Sequence, residues 1–145
     1  MTTKTKDETK AEAPIKNFEL SDFFTLPAIQ KGKKLPLTLP DGTETPHYLV
    51  VTSSDAAVAR RKLLELTREG RDRDESKLST DEVFEITQAG TIKYRAALVI
   101  GWSFDAPFSA DAVAELLTNN PGLSQDVETL ASNRSRFFAA DSTTS

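Results

Sequence analysis

The sequence predicts an α+β fold that is mostly helical, with an N-terminal β-hairpin packed on a small bundle of about four helices. Two short strand-like runs, Lys34 to Leu39 and His47 to Thr52, flank the turn signal Pro40-Asp41-Gly42. Four stretches of helical apolar period follow, over about 55–69, 80–100, 109–119 and 124–137. The chain has no cysteine, so its 145 residues must fold on an apolar core without disulfides or thiolate-bound zinc. One domain is expected over 17–138. The small, polar and charged ends, 1–16 and 139–145, read as disordered tails.

Each element has a local reason. Phe18, Leu20, Phe23, Phe24, Leu26 and Ile29 form an apolar lead-in interrupted by Pro27, which suits a short irregular or single-turn segment. Pro36 cannot donate to a ladder, so the first strand belongs at an edge, and the ribbon must lie on helices to be stable. Ser53 or Ser54 can cap the first helix, whose stripe is Ala59, Leu63 and Leu66 and whose end is set by Gly70. Arg71 to Lys77 alternates in sign and is either a solvated linker or the charged middle of a longer helix.

Ser79-Thr80-Asp81-Glu82 has capping-box spacing and opens the second helix. Gly90 is a place for that helix to bend, Val99-Ile100 can end it as strand, and Gly101 suits a left-handed terminator. Ser109 caps the third helix, with Phe108 placed to staple onto Val113. Asn120-Pro121-Gly122 stops it, and Ser124 starts the last helix, whose apolar face includes Phe137 and Phe138.

Composition excludes several kinds of function. The longest apolar run, Ala96 to Ile100, is far short of the roughly 20 residues that span a bilayer, so no membrane partner is expected. From Gly101 onward six carboxylates oppose only Arg134 and Arg136, an unfavourable surface for a phosphate backbone. His47 is the only histidine and the glycines match no phosphate-binding loop, so no catalytic residue, cofactor or metal is expected. The acidic groups near 72–75 and 81–82 lie beside arginines and lysine and read as a solvated face.

The remaining candidates are partner contacts. Trp102, Phe104 and Phe108 either plug a corner between helices or form a half-exposed anchor. Phe23 and Phe24 carry the same ambiguity. Arg60 and Arg61 sit in the densest basic run, either a solvated helix face or a docking point for an acidic partner. Leu116, Phe137 and Phe138 lie on stripes that can close the core or be lent to another helix.

Taken together, Ala97-Leu98-Val99-Ile100-Gly101-Trp102, then Ala106-Pro107-Phe108-Ser109, Ala114-Glu115-Leu116-Leu117, Asn120-Pro121 and a closing helix ending in Phe137-Phe138 resemble the tail assembly chaperones of long-tailed (siphovirus-type) bacteriophages. The likeness covers about residues 45–138; the alternating-charge segment 68–77 has no place in that scheme. The resemblance implies a non-enzymatic factor that binds the tape-measure protein, keeps it soluble in the host cytoplasm, helps recruit tail-tube subunits and is absent from the mature virion. Self-association through the same apolar stripes is also expected. The competing readings are a small virion structural protein, such as a tail or head-completion component, and a small nucleic-acid-binding regulator.

Overall fold

The computed structural model describes residues 17–140. A 3₁₀ turn at Leu20–Phe23 leads into helix α1 (Leu26–Lys31), where Pro27 lies in the first turn and its missing N–H costs nothing. Strands β1 (Lys33–Thr38) and β2 (Glu44–Val51) form the hairpin. Helix α2 (Ala57–Arg71), a 3₁₀ turn at Glu75–Lys77, helix α3 (Thr80–Ala97) and strand β3 (Val99–Trp102) follow. Helices α4 (Ala110–Asn119), α5 (Pro121–Ser132) and α6 (Arg134–Phe138) complete the order. The strands make one antiparallel sheet in the order β1-β2-β3, and the class is the mostly helical α+β one expected. The expected tails at 1–16 and 141–145 lie outside the described residues. At position 139 the backbone is tied down, its carbonyl accepting from Lys33 Nζ at 2.7 Å.

Several boundaries differ from the sequence reading, each for a local reason. The helix expected over 80–100 stops at Ala97, and the β-branched pair Val99-Ile100 pairs with β2. The register runs Leu49↔Trp102, Val50↔Gly101 and Val51↔Val99, which leaves Ile100 as the extra residue of a bulge. Gly101 is therefore a strand residue and not a left-handed helix terminator. Neither Gly70 nor Gly90 breaks its helix, since α2 continues to Arg71 and α3 is uninterrupted. Segment 72–79 is a connection whose 3₁₀ turn is capped by Asp74, not the middle of a longer helix.

Capping accounts for the rest. The Ser79–Glu82 box forms reciprocally at 2.8 and 3.0 Å, and Ser109 accepts from Ala112 N at 3.0 Å. Neither Ser53 nor Ser54 caps α2, whose N-cap is Ala56 with no side-chain bond; Ser53 Oγ accepts instead from Asp55 N. The helix expected over 124–137 begins earlier, at Pro121, and is split in two. Asn120 closes α4 and caps α5, and Asn133 closes α5 and caps α6, each side chain accepting from the amide three residues on. Ser124 is thereby carried inside α5 and buried.

The core lies between the inner face of the sheet and the last helices. Leu35, Leu49, Val51 and Val99 from the strands meet Val113 and Leu117 of α4 and Leu123, Val127, Leu130 and Ala131 of α5. Phe137 and Ile29 close its ends. The α2–α3 pair contributes only Ala59 and Ala96 as fully buried residues, so it leans on the core at one end and otherwise stands as an arm. Arg95 ties α3 to α5: its Nε donates to Glu128 at 2.7 Å and its Nη1 to the buried Ser124 hydroxyl at 3.0 Å.

Gly32 joins α1 to β1 with φ +82, and a Cβ there would stand 2.7 Å from Val50 Cγ1 and 3.1 Å from the Val51 carbonyl. Gly32→Ala therefore combines positive-φ strain with overlap on the Val50 side chain and a tight approach to backbone, and is expected to cost about 2–3 kcal/mol in chemical denaturation.

Asp55 receives both Nε and Nη2 of Arg134 at 2.8 Å, and that hydrogen bonding holds its carboxyl below the ordinary carboxylate value. A depressed carboxyl contributes stability above its unfolded pKa and loses it as pH falls through its folded pKa. Asp55→Asn is thus expected to lower the melting temperature slightly near neutral pH, because the pair is solvent-exposed. The gap from wild type should close as the pH of a melting series is taken into the acid range.

Candidate partner-binding site

The end of β3 and the loop behind it assemble an aromatic corner. The chain leaves β3 at Trp102, and Ser103 pins the next step: Tyr48 N donates to its hydroxyl at 2.8 Å, and its own amide donates to the Tyr48 carbonyl at 3.0 Å. That brace aims Phe104 at His47, whose ring it stacks on at 4.5 Å between centroids. Trp102 meets Phe104 and Phe108 edge-on at 5.3 and 5.4 Å, and its indole Nε1 donates to the Ala106 carbonyl at 3.0 Å, closing the loop on itself. The rings thus support one another at the spacing and angle that aromatic quadrupoles prefer.

Beside the corner runs a groove of about 440 Å³, walled by Leu37 and Leu39 from the hairpin, His47 and Phe104 in the middle, and Leu116 and Leu123 from the helices. A second concavity of about 520 Å³ lies on the other side of the same His47, Phe104 and Leu116, and adds Trp102 and Glu115. The walls mix these apolar side chains with Thr38, Thr45 and Asn120, and the charged lining residues, Asp126, Asp105 and Glu115, are all acidic. Such a trough accepts an apolar side chain or helix face flanked by basic or polar groups.

The structure distributes the sequence-predicted contact residues over four places. Trp102, Phe104, Phe108 and Leu116 come together at the corner. Phe23 and Phe24 project from the N-terminal segment, 70% and 61% exposed, in company with the exposed Phe18, Leu20 and Leu26. Arg60 and Arg61 are exposed on α2. Phe137, at 3% exposure, belongs to the core, and Phe138 packs edge-on against it at 5.1 Å, so Phe137 presents no surface for a partner. Aromatic pairs at a helix end do not reveal by spacing which ring turns inward.

His47, Leu37 and Leu39 were missed as groove residues. Their signal was the inward alternation Leu35, Leu37, Leu39, which extends farther along the hairpin than the helices cover. The hydroxyl of Ser103 lies 3.0 Å from His47 Nδ1, but it is engaged by the Tyr48 backbone and serves as a brace. Among the described residues no group of His, Asp and Glu side chains is placed to hold a metal, and no helix is long and apolar enough to cross a membrane.

A groove between the hairpin and the helices and an exposed aromatic segment are surfaces of the kind that bind other polypeptides. The family model for phage tail assembly chaperones matches residues 33–131, from β1 to the end of α5, and the chain belongs to that family. The match runs through the charged segment 68–77 that the resemblance left unplaced. No curated protein and no solved structure matches the chain.

Phe104 is half-buried against the core, whereas Phe108 is 43% exposed and held by Trp102 alone among the rings. Phe104→Ala is expected to lose about 2–4 kcal/mol of folding stability and Phe108→Ala less than about 1 kcal/mol, measured by urea titration monitored through Trp102 fluorescence.

Proposed function

We propose that this chaperone binds the tape-measure protein of its phage, keeps that long apolar chain soluble, helps recruit tail-tube subunits and departs before the virion is complete. The observation that carries this reading is the exposure of five large apolar side chains, Phe18, Leu20, Phe23, Phe24 and Leu26, on a backbone already folded into a 3₁₀ turn and the start of α1. So many exposed large apolar side chains within nine residues are rare on proteins that act alone and suit a surface that another chain covers. A pre-ordered segment also loses less entropy on binding than a random coil would.

The aromatic corner supplies the complementary shape. Its groove takes the apolar face of a helix, and its acidic lining residues favour lysine or arginine flanking that face. The members of the contact set are then Phe23 and Phe24 on the segment and Trp102, Phe104, Phe108 and Leu116 at the corner. Nothing in this role involves making or breaking a covalent bond.

Co-expression with the tape-measure gene product of the same phage is expected to move that product from the insoluble to the soluble fraction. Phe23→Ser/Phe24→Ser, whose side chains are exposed, should abolish the rescue while leaving the melting temperature within a few degrees of wild type. Unchanged rescue by the double variant, or the protein's presence at fixed stoichiometry in purified virions, would sink the proposal.

A further inference from the structure

The outer side of α2 carries a charge pattern that the apolar contacts above do not use. With about 3.6 residues per turn, Arg60, Arg61, Leu64, Arg68 and Arg71 fall on one side of the helix, away from the Ala59 and Leu66 side that faces the fold. All five are exposed, Leu64 at 51%. The stripe runs about 16 Å along the axis at the usual helical rise. The carboxylates of α2, Glu65 and Glu69, lie on its flank, and Glu65 is engaged by Lys62 at 2.6 Å. Asp55, the acid nearest Arg60, is held by Arg134 in a two-pronged bond.

Helix stability does not account for this pattern. Arg68 and Arg71 sit in the last turn, where the helix dipole favours cations, but Arg60 and Arg61 stand past the first turn at the other end, where the dipole gives them no support. That end also lacks any acidic residue in the first turn and any side-chain cap. Four like charges on one face repel one another, and the exposed leucine among them adds unfavourable hydration. A contact that uses both the guanidinium groups and the leucine offsets both costs.

We propose that the outer face of α2 is a docking surface for an acidic amphipathic helix of another protein. Its carboxylates meet Arg60, Arg61, Arg68 and Arg71 in planar two-pronged bonds, for which arginine is suited where lysine is not, and an apolar side chain covers Leu64. The occupant is a polypeptide and not nucleic acid because the chain carries a net charge of −4, the stripe offers no aromatic ring for a base to stack on, and phosphates would leave Leu64 uncovered. The surface shares no residue with the aromatic corner or the N-terminal segment, so it stands or falls independently of the tape-measure reading.

The test uses the full-length chain and a labelled synthetic helical peptide of about 15 residues, long enough to lie along the stripe, with glutamates and one central leucine on one face. Anisotropy titrations should show binding that weakens with added salt, falls about tenfold or more in Arg61→Glu/Arg68→Glu, and falls by a smaller factor in Arg61→Lys/Arg68→Lys, which keeps the charge and loses the planar fork. Circular dichroism of the variants should be that of wild type, since these side chains are exposed. Equal binding of a peptide with glutamine for glutamate, or loss-free binding in the charge-reversal variant, overturns the proposal. Preferential binding of a DNA duplex at the same salt overturns it in favour of nucleic acid. A shift from oligomer to monomer on charge reversal, seen by sedimentation without peptide, overturns it in favour of a second copy of this chain.

Discussion

The fold depends on four polar residues, Thr52-Ser53-Ser54-Asp55, at the point where the chain leaves β2 and must cross the top of the core. A buried loop has to satisfy its backbone groups within the protein, and this one does so by tying every neighbouring element to itself. Thr52 N donates to the Leu98 carbonyl at the α3–β3 joint, and its hydroxyl donates to the Ile29 carbonyl, one of the orphan acceptors at the end of α1. Ser54 N donates to Ala131 O on α5, and Asp55 clasps Arg134 of α6. Four distant parts of the chain are thus positioned by one short segment. The described residues leave no buried side-chain nitrogen or oxygen unpaired, which fits a core specified by such bonds and not only by apolar volume.

That arrangement separates a well-determined body from less anchored parts. The sheet and α4–α5 bury whole leucines and valines, whereas α2 and α3 bury one alanine each and the Leu20–Phe23 turn buries none. Elements with few buried apolar contacts open at lower free energy than the core they lean on. The side chains free to meet a partner lie on or beside those elements, and the aromatic corner, though braced by Ser103, sits at the edge of the body where the hairpin outruns the helices.

Much of this was legible in the sequence. The fold class, the hairpin, the Ser79–Glu82 box and the Ser109 cap follow from residue types at fixed spacings, because each depends on a local bond. What failed were readings that tertiary context decides. Glycine punctuation misled at Gly70, Gly90 and Gly101, where surrounding helix or strand bonds hold the backbone, while Gly32 matters because Val50 leaves no room beside it. Asn120 and Asn133 each end one helix and start the next, and a stop signal read in one direction hides the start. At the site, the grouping of Trp102, Phe104 and Phe108 was visible from their closeness in sequence. The stacking of His47 on Phe104 was not, since 57 residues separate them and only the β2–β3 register brings them together.

The surfaces left uncovered differ in chemistry, and that difference bears on how an assembly factor can release what it holds. Contact through Phe18 to Leu26 and the aromatic corner would be driven by apolar burial, which salt strengthens modestly and which is lost only by separation of the surfaces. Contact through the α2 arginines would be electrostatic, screened over roughly 8 Å at physiological salt and easily displaced by a competing charge. A protein with both can hold one chain firmly while exchanging another quickly, because most of the difference between such contacts lies in their dissociation rates. Successive handling of different polypeptides would call for two contacts whose lifetimes are set independently, and a greasy segment and a charged helix face on separate elements would meet that requirement.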